Sequence, residues 1–153
     1  MKKIASFQVN HDKLQKGMYV SRIDGDVITY DIRMKLPNAG EYLSGAAAHT
    51  LEHLLATYAR NSRFSTSVLY VGPMGCMTGF YMLLRDCVSY ENALQLAREA
   101  FAFARDFEGD IPGNTRVECG NYLFHDLAGA KLLAKEQCDV LNAWSVKQFQ
   151  YEG

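Results

Sequence analysis

The chain has 153 residues, 48% of them apolar, and a formal net charge of −1. That length suits a single domain, residues 1–153, able to bury about two-thirds of the surface its unfolded form exposes and to fold without disulfide staples. The near-zero charge gives no electrostatic reason to expect nucleic acid or an anionic membrane as partner, which leaves a small molecule as the expected ligand.

The N-terminus, Met1-Lys2-Lys3-Ile4-Ala5-Ser6, is basic but leads into Phe7-Gln8-Val9-Asn10-His11-Asp12 rather than an apolar run. No secretory signal is expected, and no stretch approaches the length of a membrane span. The first forty residues read as extended structure with turns. After the turn signal Asp24-Gly25-Asp26, Ile28, Tyr30, Ile32, Met34 and Leu36 alternate with Val27, Thr29, Asp31, Arg33 and Lys35, the pattern of a half-buried strand. On its polar face Asp31 and Arg33 stand together. They form either a solvated ion pair, worth little, or a site where Arg33 grips a substrate carboxylate with two hydrogen bonds.

Pro37-Asn38-Ala39-Gly40 breaks the strand, and Ser44 or Gly45 can cap a helix running to about Asn61. In it, His49 and His53 lie four residues apart, hence on one face with Cβ atoms about 5–6 Å apart, so both imidazoles can reach one metal ion. Glu52 shares that side, where a carboxylate can serve as general acid or base beside an open coordination position. Leu51, Leu54, Leu55 and Tyr58 gather opposite, so the core stripe is supplied without the histidines.

Val68-Leu69-Tyr70-Val71 is a short β-rich run that ends in Gly72-Pro73-Met74-Gly75-Cys76-Met77-Thr78-Gly79 before Phe80 to Leu84 resumes as a strand. This predicts a β-loop-β unit with Cys76 at its tip. Ser89 is a good N-cap for a helix through Phe107, whose stripe of Ala93, Leu96, Ala97, Ala100, Phe101, Ala104 and Phe107 is core. Ile111 to Asn114 is a loop, Cys119-Gly120 follows, and a third helix is expected from Asp126 to Leu141 with Cys138 buried in its stripe. Residues 148–153 are expected to be poorly ordered unless docked. Interleaved helices and strands joined partly by short loops predict an α+β domain, a two-layer sandwich of an antiparallel or mixed β-sheet with helices packed on one face.

A catalytic metal typically takes three protein ligands and leaves one position open. His49 and His53 supply two, and Cys76, Cys87, Cys119, His11, His125 and several carboxylates are candidates for the third. Four widely spaced cysteines without a CxxC pair, and no sign of export, predict a reduced cytoplasmic setting with free thiols.

His49-Thr50-Leu51-Glu52-His53-Leu54, the Pro73 to Tyr81 loop and strand, and Glu118-Cys119-Gly120 with His125 to Lys131 resemble, in order and spacing, the S-ribosylhomocysteine lyases of the LuxS family. Near the start, Ser6-Phe7, His11-Asp12 and Tyr30-Asp31-Ile32-Arg33 look like that family's substrate-binding segments. The resemblance covers nearly the whole chain. It implies a LuxS/processing-peptidase-like metalloenzyme fold and a divalent metal held by His49, His53 and Cys119. The metal implied is Fe2+, one per subunit, often replaced by Zn2+ or Co2+. It also implies acid/base roles for Cys76 and Glu52, substrate contacts from Ser6, His11 and Arg33, and a homodimer whose active sites lie at the interface. Two departures stand out. Tyr70-Val71-Gly72 replaces an acidic-aliphatic-serine stretch, and the segment between His11 and Asp31 is short.

The implied reaction fits the residues. Breaking an unactivated thioether requires a carbonyl placed so that the carbon β to it carries sulfur. The open-chain sugar must therefore move its carbonyl from C1 to C2 to C3 before homocysteine is expelled, leaving the dihydroxypentanedione from which autoinducer 2 forms. A metal with an open site, a thiolate and a carboxylate are the parts such shifts need. The alternatives are an inverzincin-type metallopeptidase, since H-x-x-E-H is also that signature, and a non-catalytic metal-dependent binding protein derived from the lyase.

Overall fold

The computed structural model describes residues 1–152. The expected layers are present: four strands form one antiparallel sheet in the order β1-β2-β4-β3, and three long helices cover one face of it. Strands β1 (Gly17–Asp24) and β2 (Val27–Arg33) form a hairpin, as do β3 (Val68–Pro73) and β4 (Gly79–Arg85), and β2 pairs with β4 through the centre. One helical turn, α1 (Ala5–Gln8), precedes the sheet, where only extended structure was expected. It has no side-chain cap and buries nothing, so it carries neither of the signals by which a sequence announces a helix.

The long helices start where hydroxyl or carboxylate caps predict. Ser44 accepts a hydrogen bond from the Ala47 N–H and opens α2 (Gly45–Asn61), Ser89 accepts from Asn92 and opens α3 (Tyr90–Asp106), and Asp126 accepts from Gly129 and opens α4 (Leu127–Asn142). Leu51, Leu54 and Leu55 of α2 share one core with Ile28, Tyr30, Ile32, Phe80, Met82 and Leu84 of the sheet, and α3, with its alanine-rich stripe, packs on α2 and α4, which also touch each other. Cys138 is buried in that helical layer.

The two-faced reading of β2 holds on one side only. Ile28, Tyr30, Ile32 and Met34 are buried as expected, while Leu36, beyond the strand, is exposed. Asp31 and Arg33, expected on a solvated face, are as buried as the core, with side chains 1% and 4% accessible. The reason is the tail. Residues 146–148 form a capped 3-10 turn, the Phe149 carbonyl accepts from the Val20 N–H at 2.7 Å, Phe149 is fully buried, and Tyr151 lies over Asp31. The C-terminus is thus docked; Gly153 lies outside the described residues. No described helix is long and apolar enough to cross a membrane.

Inside the core the Tyr30 hydroxyl is buried with no hydrogen-bond partner, boxed by Tyr90 and Phe149 in edge contacts. An unmet buried donor costs about 1–3 kcal/mol, whereas an apolar group of the same shape costs nothing there. Tyr30→Phe should therefore raise the denaturant midpoint, by about 1 kcal/mol of unfolding free energy. A loss of stability would mean that the hydroxyl has a partner.

Candidate active site

On the solvent side of α2, His49 and His53 stand with ring centroids 4.7 Å apart in an edge-on arrangement. The segment between α3 and α4 closes over them. His49 Nδ1 donates to the Phe124 carbonyl at 2.6 Å and His53 Nδ1 to the Pro112 carbonyl at 2.7 Å. A ring that donates through Nδ1 carries its lone pair on Nε2, which fixes both tautomers for ligation and holds both rings in place. Two glycines permit this closure. A Cβ on Gly45 would stand 2.8 Å from the Phe124 ring, and Gly113, at φ +72, turns the chain beside His53 where a Cβ would come within 3.3 Å of Nδ1.

The same segment brings in Cys119. Its Sγ lies 3.4 Å from His49 Nε2 and 4.0 Å from His53 Nε2. With metal–sulfur and metal–nitrogen bonds of about 2.3 and 2.0–2.1 Å, a tetrahedral site requires an S···N edge of about 3.5 Å. The donors fit.

His125 completes the cluster, with ligand atoms of all four residues within 4.8 Å of one another, and its ring stacks on His49 at 4.0 Å. The expected set of three ligands thus has a fourth neighbour. The hydrogen bonds distinguish it from the others. Where His49 and His53 use backbone carbonyls, His125 Nδ1 shares a 2.9 Å hydrogen bond with Thr50 Oγ1, which also accepts the Asp126 backbone N–H at 2.9 Å. His125 Nε2 is buried without a protein partner. Burial first, then the charges of His49 and His53, holds its pKa below the usual histidine value, in keeping with a neutral ring. No carboxylate joins this group among the described residues.

Glu52 lines two cavities beside the cluster, one of about 380 Å³ with His53, Arg60, Tyr70 and Gly113, the other of about 310 Å³ with His49, Pro73 and Met77. Tyr70, in the segment that departs from the family pattern, is half-exposed, and its hydroxyl occupies the space that a side chain at Gly72 would take.

The other predicted residues assemble elsewhere. Ser6, His11, Arg33 and Cys76 line a third cavity, of about 200 Å³, together with Asp31, Tyr81 and Tyr151. Here Arg33 and Asp31 pair fork to fork, Nε to Oδ1 at 3.1 Å and Nη2 to Oδ2 at 2.6 Å. Neither sequence reading of this pair survives intact, since it is buried rather than solvated and the bidentate edge of Arg33 is taken by Asp31. Burial opposes the guanidinium's charge, but the negative charge and hydrogen bonds of Asp31 outweigh it and raise its pKa. The remaining nitrogen, Nη1, donates to Thr78 Oγ1 at 2.8 Å. Thr78 Oγ1 stands 3.1 Å from Cys76 Sγ. The Thr78 hydroxyl keeps its own proton while accepting from arginine, so when Cys76 is a thiolate, which can only accept, that hydroxyl donates to it. Thr78, Tyr151 and the two backbone carbonyls escape sequence reading. A carbonyl has no residue type, and the other two contacts depend on the tertiary fold.

The predicted residues therefore form two groups that share no cavity within one chain, with the β3–β4 loop between them. If the ligand set is His49, His53 and Cys119, Cys119→Ala protein should lose its bound divalent metal on gel filtration. His125→Gln and Cys87→Ala proteins should keep it, as read by metal analysis. Retention in Cys119→Ala, or loss in His125→Gln, would redraw the set.

A sequence profile of the S-ribosylhomocysteinase (LuxS) family matches residues 4–148. The chain is 46% identical to the S-ribosylhomocysteine lyase of Desulfotalea psychrophila over 157 aligned positions, covering 99% of both chains. It is 44% identical to that of Porphyromonas gingivalis with the same coverage, and 48% identical to that of Phocaeicola vulgatus over 86% of this chain and 84% of the relative.

Proposed function

The chain belongs to the S-ribosylhomocysteinase (LuxS) family, and from that premise we propose that it is an S-ribosylhomocysteine lyase, a carbon–sulfur lyase that splits S-ribosylhomocysteine into homocysteine and 4,5-dihydroxy-2,3-pentanedione, the autoinducer 2 precursor. The observation that carries this reading is the convergence of three ligand atoms from His49, His53 and Cys119, with Glu52 beside them. His49, His53 and Cys119 would hold one ferrous ion, replaceable by zinc or cobalt, which when bound supplies a Lewis acid for the oxygens of the substrate.

The chain's own residues supply the rest. Ser6 and His11 line the cavity around Cys76 and bind the substrate there, while Arg33, engaged by Asp31 and Thr78, orders the wall behind them. Cys76 takes a proton from one sugar carbon and returns it to the neighbouring one, with the Thr78 hydroxyl 3.1 Å away to hydrogen-bond its sulfur. Glu52 moves protons at the sugar oxygens. Two such carbonyl shifts place the carbonyl at C3. Loss of the C4 proton then forms the C4–C5 double bond as the C5–sulfur bond breaks, and homocysteine leaves with a proton on its sulfur.

In one chain Cys76 and the metal ligands open into different cavities, so the working site takes one group from each of two chains. Exposed apolar side chains flank both groups: Ile4 and Phe7 near Ser6, and Val117, Leu123 and Phe124 around Cys119. The protein acts as a homodimer in the cytoplasm, where its four unpaired cysteines stay reduced.

Incubation of metal-loaded protein with S-ribosylhomocysteine, followed with a thiol reagent, should release one homocysteine per substrate. No release would end this reading. Cys76→Ala and Glu52→Gln should keep metal and substrate binding yet lose at least about 10²-fold in rate, the lower range for a positioned acid or base. Near-normal rates in metal-loaded Cys76→Ala would make the cysteine structural.

Shared sites also predict complementation. Removing Arg33 would strand the Asp31 carboxylate in the core, so the informative pair is Cys76→Ala with His53→Ala. After subunit exchange of equal amounts, half the dimers are mixed and each has one intact site, so roughly a quarter of wild-type activity should return. No recovery would place both residues of each site in the same chain.

A further inference from the structure

The Asp31–Arg33–Thr78–Cys76 chain does not end at Asp31. The Tyr151 hydroxyl donates to Asp31 Oδ2 at 2.7 Å, the same oxygen that Arg33 Nη2 reaches at 2.6 Å. The phenol ring stacks on Tyr19 with centroids 5.0 Å apart. Burial first, and then the negative charge of Asp31, raises the phenol's pKa, so it remains a proton donor throughout the working range. The Asp31 carboxylate is thus held from both sides, by Arg33 and by Tyr151. With the carboxylate pinned, the guanidinium plane is fixed and presents Nη1 to Thr78, which holds the Thr78 hydroxyl 3.1 Å from the sulfur of Cys76, placed to donate to its thiolate. Tyr151 also forms the partition between the Cys76 cavity and a neighbouring one lined by Lys13, Tyr19 and Trp144.

We propose that Tyr151, in the C-terminal tail, is a positioning residue for the lyase reaction, its hydroxyl fixing Asp31 and, through Arg33 and Thr78, the sulfur of Cys76. This rests on the reading of Cys76 as the proton shuttle. The tail is therefore part of the catalytic machinery as well as a cover for the core. Its ring and its hydroxyl have separable jobs, one walling the cavity and the other holding the relay.

The test compares full-length, metal-loaded wild type, Tyr151→Phe and Tyr151→Leu. Tyr151→Phe keeps the stack on Tyr19 and loses only the hydroxyl. Its kcat for homocysteine release should fall about tenfold, the size of one lost hydrogen bond to a charged group, with KM changed less than about twofold. Alkylation of Cys76 by iodoacetamide at pH 7, read by peptide mass, should slow at least about threefold, since the thiolate is the reacting form and its donor has been loosened. Tyr151→Leu should show the same losses and a raised KM, because the wall has gone. Wild-type kcat and alkylation in Tyr151→Phe would overturn the proposal, and so would impairment confined to Tyr151→Leu. If wild type itself releases no homocysteine, the lyase reading fails, and the alkylation comparison still decides the role of Tyr151.

Discussion

Everything in the metal-side group depends on the 3.6-residue period of α2. One turn of helix separates His49 from His53, and the same turn sends Leu51, Leu54 and Leu55 into the sheet. Burial of those leucines, each worth about 1.5–3 kcal/mol relative to exposure, fixes the rotation of the helix about its axis. The histidines cannot rotate away from the surface without dragging leucines into water. Core packing thus sets the direction of the ligands, and the segment between α3 and α4 sets their tautomers through two backbone carbonyls.

The second group is built on an opposite principle. Where α2 uses apolar burial to aim polar groups outward, the centre of the sheet buries two charges together. A buried ion pair adds little to stability by itself, because desolvation cancels most of its attraction. Its value lies in geometry: a planar fork against a planar carboxylate leaves one orientation for the remaining nitrogen. Arg33 in this setting holds Thr78 and Cys76 to a fixed direction that a solvated arginine could not impose.

The layers, the three long helices with their caps, the β3–β4 hairpin and the outward face of α2 could all be read from the chain, because each rests on local periodicity or on a cap within four residues of what it caps. Asp31 and Arg33 were misplaced because alternation along a strand reports only that strand. Their cover comes from Tyr151, 120 residues away, and period-2 reasoning cannot anticipate a tail that docks. His125 was one of several candidate ligands, and its place in the cluster, with its bond to Thr50, 75 residues distant, is a tertiary contact that no local pattern reports. The His49–His53 pair and Cys76 could be singled out separately. Their division between two cavities follows from tertiary packing.

The β3–β4 loop has a further consequence. Pro73 and Met77 face the Glu52 side, while Met74, Gly75 and Cys76 face the Arg33 side. The loop is clamped from three directions. The Thr78 carbonyl accepts from Met34 and Lys35, the Met77 carbonyl from Leu43, and the Met74 N–H donates to the Gly79 carbonyl. Met77 is held at φ 60, a region that costs a side-chain-bearing residue roughly 1 kcal/mol or more, so the clamps outweigh a strain that relaxation would relieve. Hairpin tips are ordinarily where chains tolerate added or deleted residues. Here a change of one residue in length would move both sets of chemistry at once, in opposite senses on the two faces. This tip behaves as a spacer of fixed thickness, and variation is confined to exchanging side chains on strands that approach it, as Tyr70 and Gly72 have done.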